Sequence, residues 1–186
     1  MGFLKIVLGS MYSGKTTFLL NIYNKYTYND LKCCVINYSG DNRYHDTMMS
    51  THTKQMISCV NCYMLHDTLK SVDSNNQIDI NEYDIFLINE GQFFSDLKEF
   101  VKKLVDEHDK IVYVCGLDGD FRRNKFGDIL DLIPLCDEVV KLKGVCKICK
   151  KDSIFTHRLS SEKEQTIIGN DNYISLCRSC YMEKVF

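Results

Sequence analysis

The sequence predicts an α/β protein: a parallel sheet carrying a phosphate-binding loop, helices flanking it, and a small metal-stapled segment at the C-terminus. Three observations carry that expectation. Short apolar, β-branched runs alternate with helical patterns as far as Leu142. A glycine-rich stretch, Gly9 to Thr16, directly follows the first of those runs. Two Cys-x-x-Cys pairs lie beyond residue 143, where the alternation stops.

The apolar runs are Phe3 to Leu8, Cys33 to Tyr38, Ile85 to Ile88, Ile111 to Cys115 and Val139 to Leu142. Near-continuous apolar runs suit strands covered on both faces. Their alternation with helices implies a parallel sheet. One helical stretch is Thr17 to Tyr26. The clearest is Ser95 to His108, with Leu97, Phe100, Val101, Leu104 and Val105 on one face. Ser95 or Asp96 is placed to cap its start. Residues 41–80, rich in Asn, Asp, Ser and Thr without clean periodicity, are expected to form loop and short helix. A boundary near residue 143 divides an expected α/β domain, 1–143, from a second unit, 144–186. The second is too short to build a strong core and needs a staple.

Bulk properties narrow the classes. A chain of 186 residues buries about 70% of its unfolded surface. The hydrophobic share of 45% and charged share of 26% are those of a globular protein. The net charge of -2, with both signs interspersed, argues against nucleic acid as the main partner. Arg122-Arg123-Asn124-Lys125 is the single compact basic cluster, readable as a solvated loop or an anion contact. No apolar run approaches the ~20 residues of a membrane span, and Lys5 interrupts the first run, unlike a signal peptide. Ile6 stands where a myristoylation motif needs Ser or Thr. A cytoplasmic location follows as the expectation, and there the ten cysteines stay reduced.

Gly9-Ser10-Met11-Tyr12-Ser13-Gly14-Lys15-Thr16 fits G-x-x-x-x-G-K-[ST] between a strand and a helix, the context that the motif requires. Its glycines let successive N–H groups curl around a phosphate, and the following helix adds its positive end. Lys15 reaches the outer phosphates and the Thr16 hydroxyl can ligate magnesium. A triphosphate site alone leaves kinase, ATPase and switch open. Asn89-Glu90-Gly91-Gln92 closes the run Ile85 to Ile88, where a carboxylate can face magnesium and the γ-phosphate. Glu90 could orient a water or accept a proton from a substrate hydroxyl.

Cys146-x-x-Cys149 and Cys177-x-x-Cys180 offer four thiolates, enough to enclose a structural zinc ion (Zn2+) with no open position for catalysis. Zinc would supply the folding energy that the segment lacks. Cys59 and Cys62 lack a second pair and read as reduced thiols. Cys33, Cys34, Cys115 and Cys136 read as core. A zinc-ribbon nucleic-acid binder is a rival reading, opposed by the acidic balance.

These motifs, together with Leu117 to Gly127, Leu132-Ile133-Pro134-Leu135, Val139 to Leu142 and Ser161-Glu162-Lys163-Glu164, occur in one order that resembles the type II (cellular and poxvirus-like) thymidine kinases. The resemblance covers nearly the whole chain. It implies transfer of the γ-phosphate of ATP, with magnesium (Mg2+), to the 5′-hydroxyl of thymidine. It implies Glu90 as general base, Gly9 to Thr16 with Asn89, Gly91 and Gln92 around ATP and magnesium, and Asp41-Asn42-Arg43 beside the phosphates. Arg43 would stabilise charge on the transferred group. His52 falls in the family's Thr-His element. A lasso loop in the C-terminal segment would cover the nucleoside. Its backbone at Gln165, Thr166, Ile167, Ile168 and Gly169 would hold the base, and Tyr173 would touch it. Met11, Phe93, Leu117, Phe121, Phe126 and Thr156 match the base pocket. The resemblance further implies a homotetramer and feedback inhibition by thymidine triphosphate (dTTP). Two departures stand out: Asn89 replaces the family's usual Asp, and the lasso is one residue shorter than in many members between Gly169 and Tyr173.

Overall fold

The computed structural model describes residues 1–40, 48–50, 56–70, 78–167 and 172–185. Its strands are β1 (Phe3–Gly9), β2 (Cys33–Tyr38), β3 (Met48–Ser50), β4 (Met56–Ser58), β5 (Val60–Cys62), β6 (Ile85–Ile88), β7 (Ile111–Gly116), β8 (Glu138–Leu142), β9 (Gly144–Val145), β10 (Asp152–Ser153), β11 (Phe155–Arg158) and β12 (Tyr173–Leu176). Its α-helices are α1 (Lys15–Thr27), α2 (Asp67–Lys70), α3 (Leu97–Lys102) and α4 (Arg178–Val185). Six strands form one sheet in the order β5-β2-β6-β7-β1-β8. Every pairing within it is parallel. All five apolar runs therefore became sheet strands.

Both faces of the central strands β1, β2, β6 and β7 are covered, which is why they carry apolar side chains at successive positions; β8, at the sheet's edge, is mostly exposed. The period of two still shows. Leu4, Ile6 and Leu8 of β1, Phe86 and Ile88 of β6, and Val112 and Val114 of β7 pack in one layer with Leu97, Phe100, Val101 and Leu104. Val7, Ile85, Leu87, Tyr113 and Cys115 face the other side, against Leu19 and Leu20 of α1. Burying each such side chain contributes about 1.5–3 kcal/mol. Cys34 and Cys115 are buried in these layers, and Cys33 and Cys136 pack at their margins.

Residues 41–80 depart from expectation. Besides the short helix α2, they hold an antiparallel pair, β3 with β4, and β5, which extends the main sheet beside β2. Strands of three residues are too short to show a period, so only the pairing partner reveals them. The helical stretch predicted from Ser95 starts at Leu97 and passes at Lys103–Glu107 into a π-helical turn. Asp96 holds the N-cap position without a side-chain cap bond. Its carboxylate instead accepts the N–H groups of Leu65 (3.1 Å) and His66 (2.8 Å), and lies 2.9 Å from the His66 ring Nδ1. It pins the segment before α2 to the start of α3.

Beyond β8 the chain forms two small antiparallel pairs, β9 with β10 and β11 with β12. Their core is Cys146, Leu176, Cys180 and Tyr181, with Phe155, Ile174 and Cys177 partly buried against it. Two of its four buried members are thiols, so hydrophobic burial there is slight.

Burial alone would raise the Asp96 pKa, but the N–H of His66, the His66 ring and the N–H of Leu65 outweigh it and hold the pKa below the usual carboxylate value. A depressed folded value stabilises the fold above the unfolded pKa, and that contribution is lost as pH falls through the folded value. Asp96→Asn should therefore destabilise the protein by about 1–3 kcal/mol at pH 7. In urea melts, the gap between variant and parent should close as pH drops well below about 4.

Candidate functional site

The parallel sheet delivers the ends of β1, β2, β6, β7 and β8 to one edge, where ligands of open α/β sheets bind. The phosphate loop leaves β1 there. Gly14 adopts φ 87 at the N-cap of α1, a left-handed conformation natural to glycine. Lys15 is 8% exposed. Its Nζ donates to the carbonyls of Gly9 (3.1 Å) and Ser10 (2.9 Å). The ammonium thus sits on the loop's own backbone. Ser10 and Ser13 bury hydroxyl oxygens that have no hydrogen-bond partner among the described residues, an arrangement that fits a cradle for an anion rich in acceptor oxygens. Tyr12 is exposed, Met11 and Thr16 are half-buried, and Thr16 lies in the first turn of α1.

At the end of β6, Asn89 is 4% exposed and Glu90 is half-buried with φ 54. Gln92 Nε2 donates to Glu90 Oε2 (2.6 Å), while Gln92 Oε1 accepts the N–H of Leu117 (2.9 Å). Gln92 therefore ties the Glu90 carboxylate to the end of β7. Gly127, at φ 57, packs so tightly over the Gln92 carbonyl that a Cβ would collide with it. Burial pushes the Cys115 thiol pKa up; Lys15 pulls it down and Glu90 pushes it further up. One buried thiol at the end of β7 thus feels both the loop cation and the strand-end carboxylate.

Asn89 is not an isolated polar end. Its Nδ2 donates to Asn37 Oδ1 (2.9 Å), and Asn37 Nδ2 donates to Asn61 Oδ1 (3.2 Å). This ladder of amides spans the ends of β6, β2 and β5. Asn37 is 6% exposed, and a neutral ladder keeps such buried groups satisfied without burying a charge.

Aromatic rings cluster around Phe93, which shortly follows Glu90 in the chain. Phe93 stacks on Tyr38 with centroids 4.9 Å apart and meets Phe126 edge-on at 5.4 Å. Tyr38 was not singled out in the sequence. Its signal was an aromatic residue ending a buried strand, which is common in cores. Phe121 lies under two guanidinium groups, Arg158 at 3.8 Å and Arg122 at 4.8 Å. The basic cluster is accordingly structural: Arg123 covers Tyr181 and Phe155, and Lys125 pairs with Asp131 and Asp128.

The C-terminal segment reaches the phosphate loop. Thr156, 4% exposed, accepts the Met11 N–H at its hydroxyl (3.0 Å). Gln165 Nε2 donates to Asp120 Oδ2 (3.1 Å). Thr166 is exposed and Ile167 half-buried. The Tyr173 hydroxyl lies 3.3 Å from both N and O of Ile167 and accepts Arg158 Nη2 at 2.6 Å. Asp41, Asn42, Arg43, His52, Ile168 and Gly169 lie outside the described residues.

The sulfur atoms of Cys146, Cys149, Cys177 and Cys180 all lie within 4.8 Å of one another, so the cluster can hold a metal ion. Around Cys146, burial raises the thiol pKa, but the N–H groups of Cys177, Cys149 and Ile148 outweigh it and bring it down to about 6. Burial and the neighbouring thiols push Cys180 up. Four thiols this close, one of them drawn toward ionisation, are a donor set suited to a cation. Cys59 and Cys62 belong to no such cluster among the described residues. Burial, then Asp96 and Asp67, push Cys62 up to about 12. Among the described residues no helix is long and apolar enough to cross a membrane.

Comparison with known proteins agrees with this geometry. The thymidine kinase family model matches residues 2–181. A thymidine kinase of vaccinia virus (strain Western Reserve) is 42% identical over 183 residues, covering 98% of each chain. The monkeypox virus thymidine kinase is likewise 42% identical with 98% of each chain covered, and that of variola virus is 41% identical with the same coverage. Phosphate loop, strand-end Glu90 and paired cysteines thus accompany a match along almost the entire sequence, and the chain belongs to the thymidine kinase family.

Proposed function

We propose that the chain transfers the γ-phosphate of ATP to the 5′-hydroxyl of thymidine. One observation carries the reading: the phosphate loop and a carboxylate held by Gln92 meet at one edge of the sheet, with the C-terminal segment bonded to the loop through Thr156. The names of the viral relatives support it.

In this reading Lys15 leaves the carbonyls of Gly9 and Ser10 for the β- and γ-phosphates, and loop N–H groups with the serine hydroxyls hold the remaining oxygens. Glu90 accepts the proton of the 5′-hydroxyl as that oxygen bonds to the γ-phosphorus. The bond from phosphorus to the bridging oxygen breaks, and ADP leaves with the electron pair. Gln92 keeps Glu90 aimed, and Arg43 offsets charge on the transferred group. Magnesium would supply further charge neutralisation at the phosphates, with Thr16 and Asn89 the residues suited to hold it or its waters. Phe93, Phe126, Leu117, Met11 and Phe121 supply the apolar walls for the base. The units 1–143 and 144–186 divide the work, the first holding ATP and the second covering thymidine and excluding water. Zinc is the metal we assign to the four thiolates. A homotetramer, inhibition by thymidine triphosphate and a cytoplasmic location complete the reading.

Phosphate transfer from magnesium-ATP to each deoxynucleoside is the direct test. Thymidine should be phosphorylated, and Glu90→Gln should lower kcat by about 100-fold or more while ATP binding persists. ATP hydrolysis without transfer to any nucleoside would instead mark an ATPase or switch. Asn89→Asp should lower the magnesium concentration needed for half-maximal rate and raise kcat, because magnesium prefers carboxylate oxygen. An unchanged magnesium dependence would place Asn89 away from the metal's hydration shell. Metal analysis should find zinc equimolar with the chain. Cys146→Ser should reduce that content and expose the remaining thiols to a thiol reagent.

A further inference from the structure

Arg158 ends β11 and faces Tyr173, the first residue of β12, across an antiparallel pair. The two residues are the feet of the loop that joins these strands. Arg158 is 4% exposed, and among the described residues no carboxylate forms an ion pair with it. Its guanidinium turns back into its own loop. Nη1 donates to the carbonyls of Glu162 (3.1 Å) and Glu164 (2.5 Å), and Nη2 to that of Gln165 (3.0 Å). Nη2 and Nε also donate to the Tyr173 hydroxyl, at 2.6 and 3.2 Å. Its Cζ lies 3.8 Å from the centroid of Phe121 and 5.1 Å from that of Tyr173. Arg122, on a neighbouring loop, donates to the one intervening carbonyl, Lys163 (2.6 Å).

Four consecutive carbonyls, from Glu162 to Gln165, therefore converge on two guanidinium groups. None of them lies in a strand, so the segment has no sheet pairing to define its path. A planar fork with five donors can order several carbonyls at once, which a single ammonium cannot do equally well. Burying that charge is costly unless its donors are satisfied, and here carbonyls, a hydroxyl and aromatic faces satisfy them. Unfolding the loop would strand the charge, so the arginine and the loop conformation depend on each other.

We propose that Arg158 is a positioning residue for the nucleoside site: it holds Glu162 to Ile167 in the covering conformation. Thymidine then meets a preformed set of backbone groups instead of ordering them on binding. The inference deepens the kinase reading and rests on it for the identity of the covered ligand. It concerns the nucleoside side of the reaction and leaves the ATP cradle alone.

The test uses the full zinc-loaded chain and four proteins: the parent, Arg158→Lys, Arg158→Met and Arg122→Ala. Arg122 is exposed, so its variant retains the fold and keeps the test decisive if Arg158→Met unfolds. Amide hydrogen exchange over 162–167 should rise by about tenfold or more in both Arg158 variants, and less in Arg122→Ala, with β1 and β7 unchanged. The thymidine KM should rise by about tenfold or more while the ATP KM stays within about twofold. Arg158→Lys should rescue only part of either effect. Exchange in 162–167 equal to the parent in every variant would overturn the proposal. So would thymidine and ATP KM values rising together, the mark of a merely structural role. Exchange needs no turnover, so a parent that phosphorylates no nucleoside would sink the kinase reading while exchange still judges the arginine.

Discussion

Parallel pairing of β1 between β7 and β8 is the constraint on which the site depends. Together with the parallel β6–β7 pair, it sends the phosphate loop, Glu90, Leu117 and Leu142 out of the same edge of the sheet. An antiparallel neighbour would have carried one of them to the opposite edge. β1 and β7 are apolar on both faces, each face matched by a helix-bearing layer, and β8 closes the edge with Val140 and Leu142 packed on one side. Because the sheet is rigid, the loops at its edge have fixed feet, and short polar contacts suffice to aim their side chains.

Those contacts are largely neutral. Gln92 bridges Glu90 and the Leu117 N–H, and the Asn89–Asn37–Asn61 ladder joins three strand ends. An amide donates and accepts at once, so each can relay orientation from backbone to carboxylate without a second buried charge. Asn89 fits this setting. A carboxylate in its place would no longer donate to Asn37, so the ladder would have to reverse its donors. The amide at position 89 is thus part of a wider arrangement of the strand ends.

The C-terminal segment follows a different logic. Its own apolar core is small and half made of cysteines. Order there comes from the four-thiol cluster at one end and the Arg158 fork at the other. Thr156 and Gln165 then bind it to the phosphate loop and to Asp120. Polar tethers of this kind hold position while leaving an edge that a ligand can enter.

The α/β class, all five apolar runs of the sheet, the phosphate loop, the strand-end Glu90 and the cysteine quartet are legible along the chain. These are local patterns: an apolar run, a glycine spacing and a Cys-x-x-Cys knuckle each declare their physics within a few residues. The remaining features depend on contacts between distant segments. Strands β3 to β5 are too short to carry a period, so only their pairing partners define them. Asp96 looked like a helix cap, but distant N–H groups of Leu65 and His66 claimed its carboxylate. Asn37, Tyr38 and Arg158 are ordinary in sequence. Their meaning lies in which strand end, ring or carbonyl the fold brings within hydrogen-bonding or stacking distance, and no spacing along the chain encodes that.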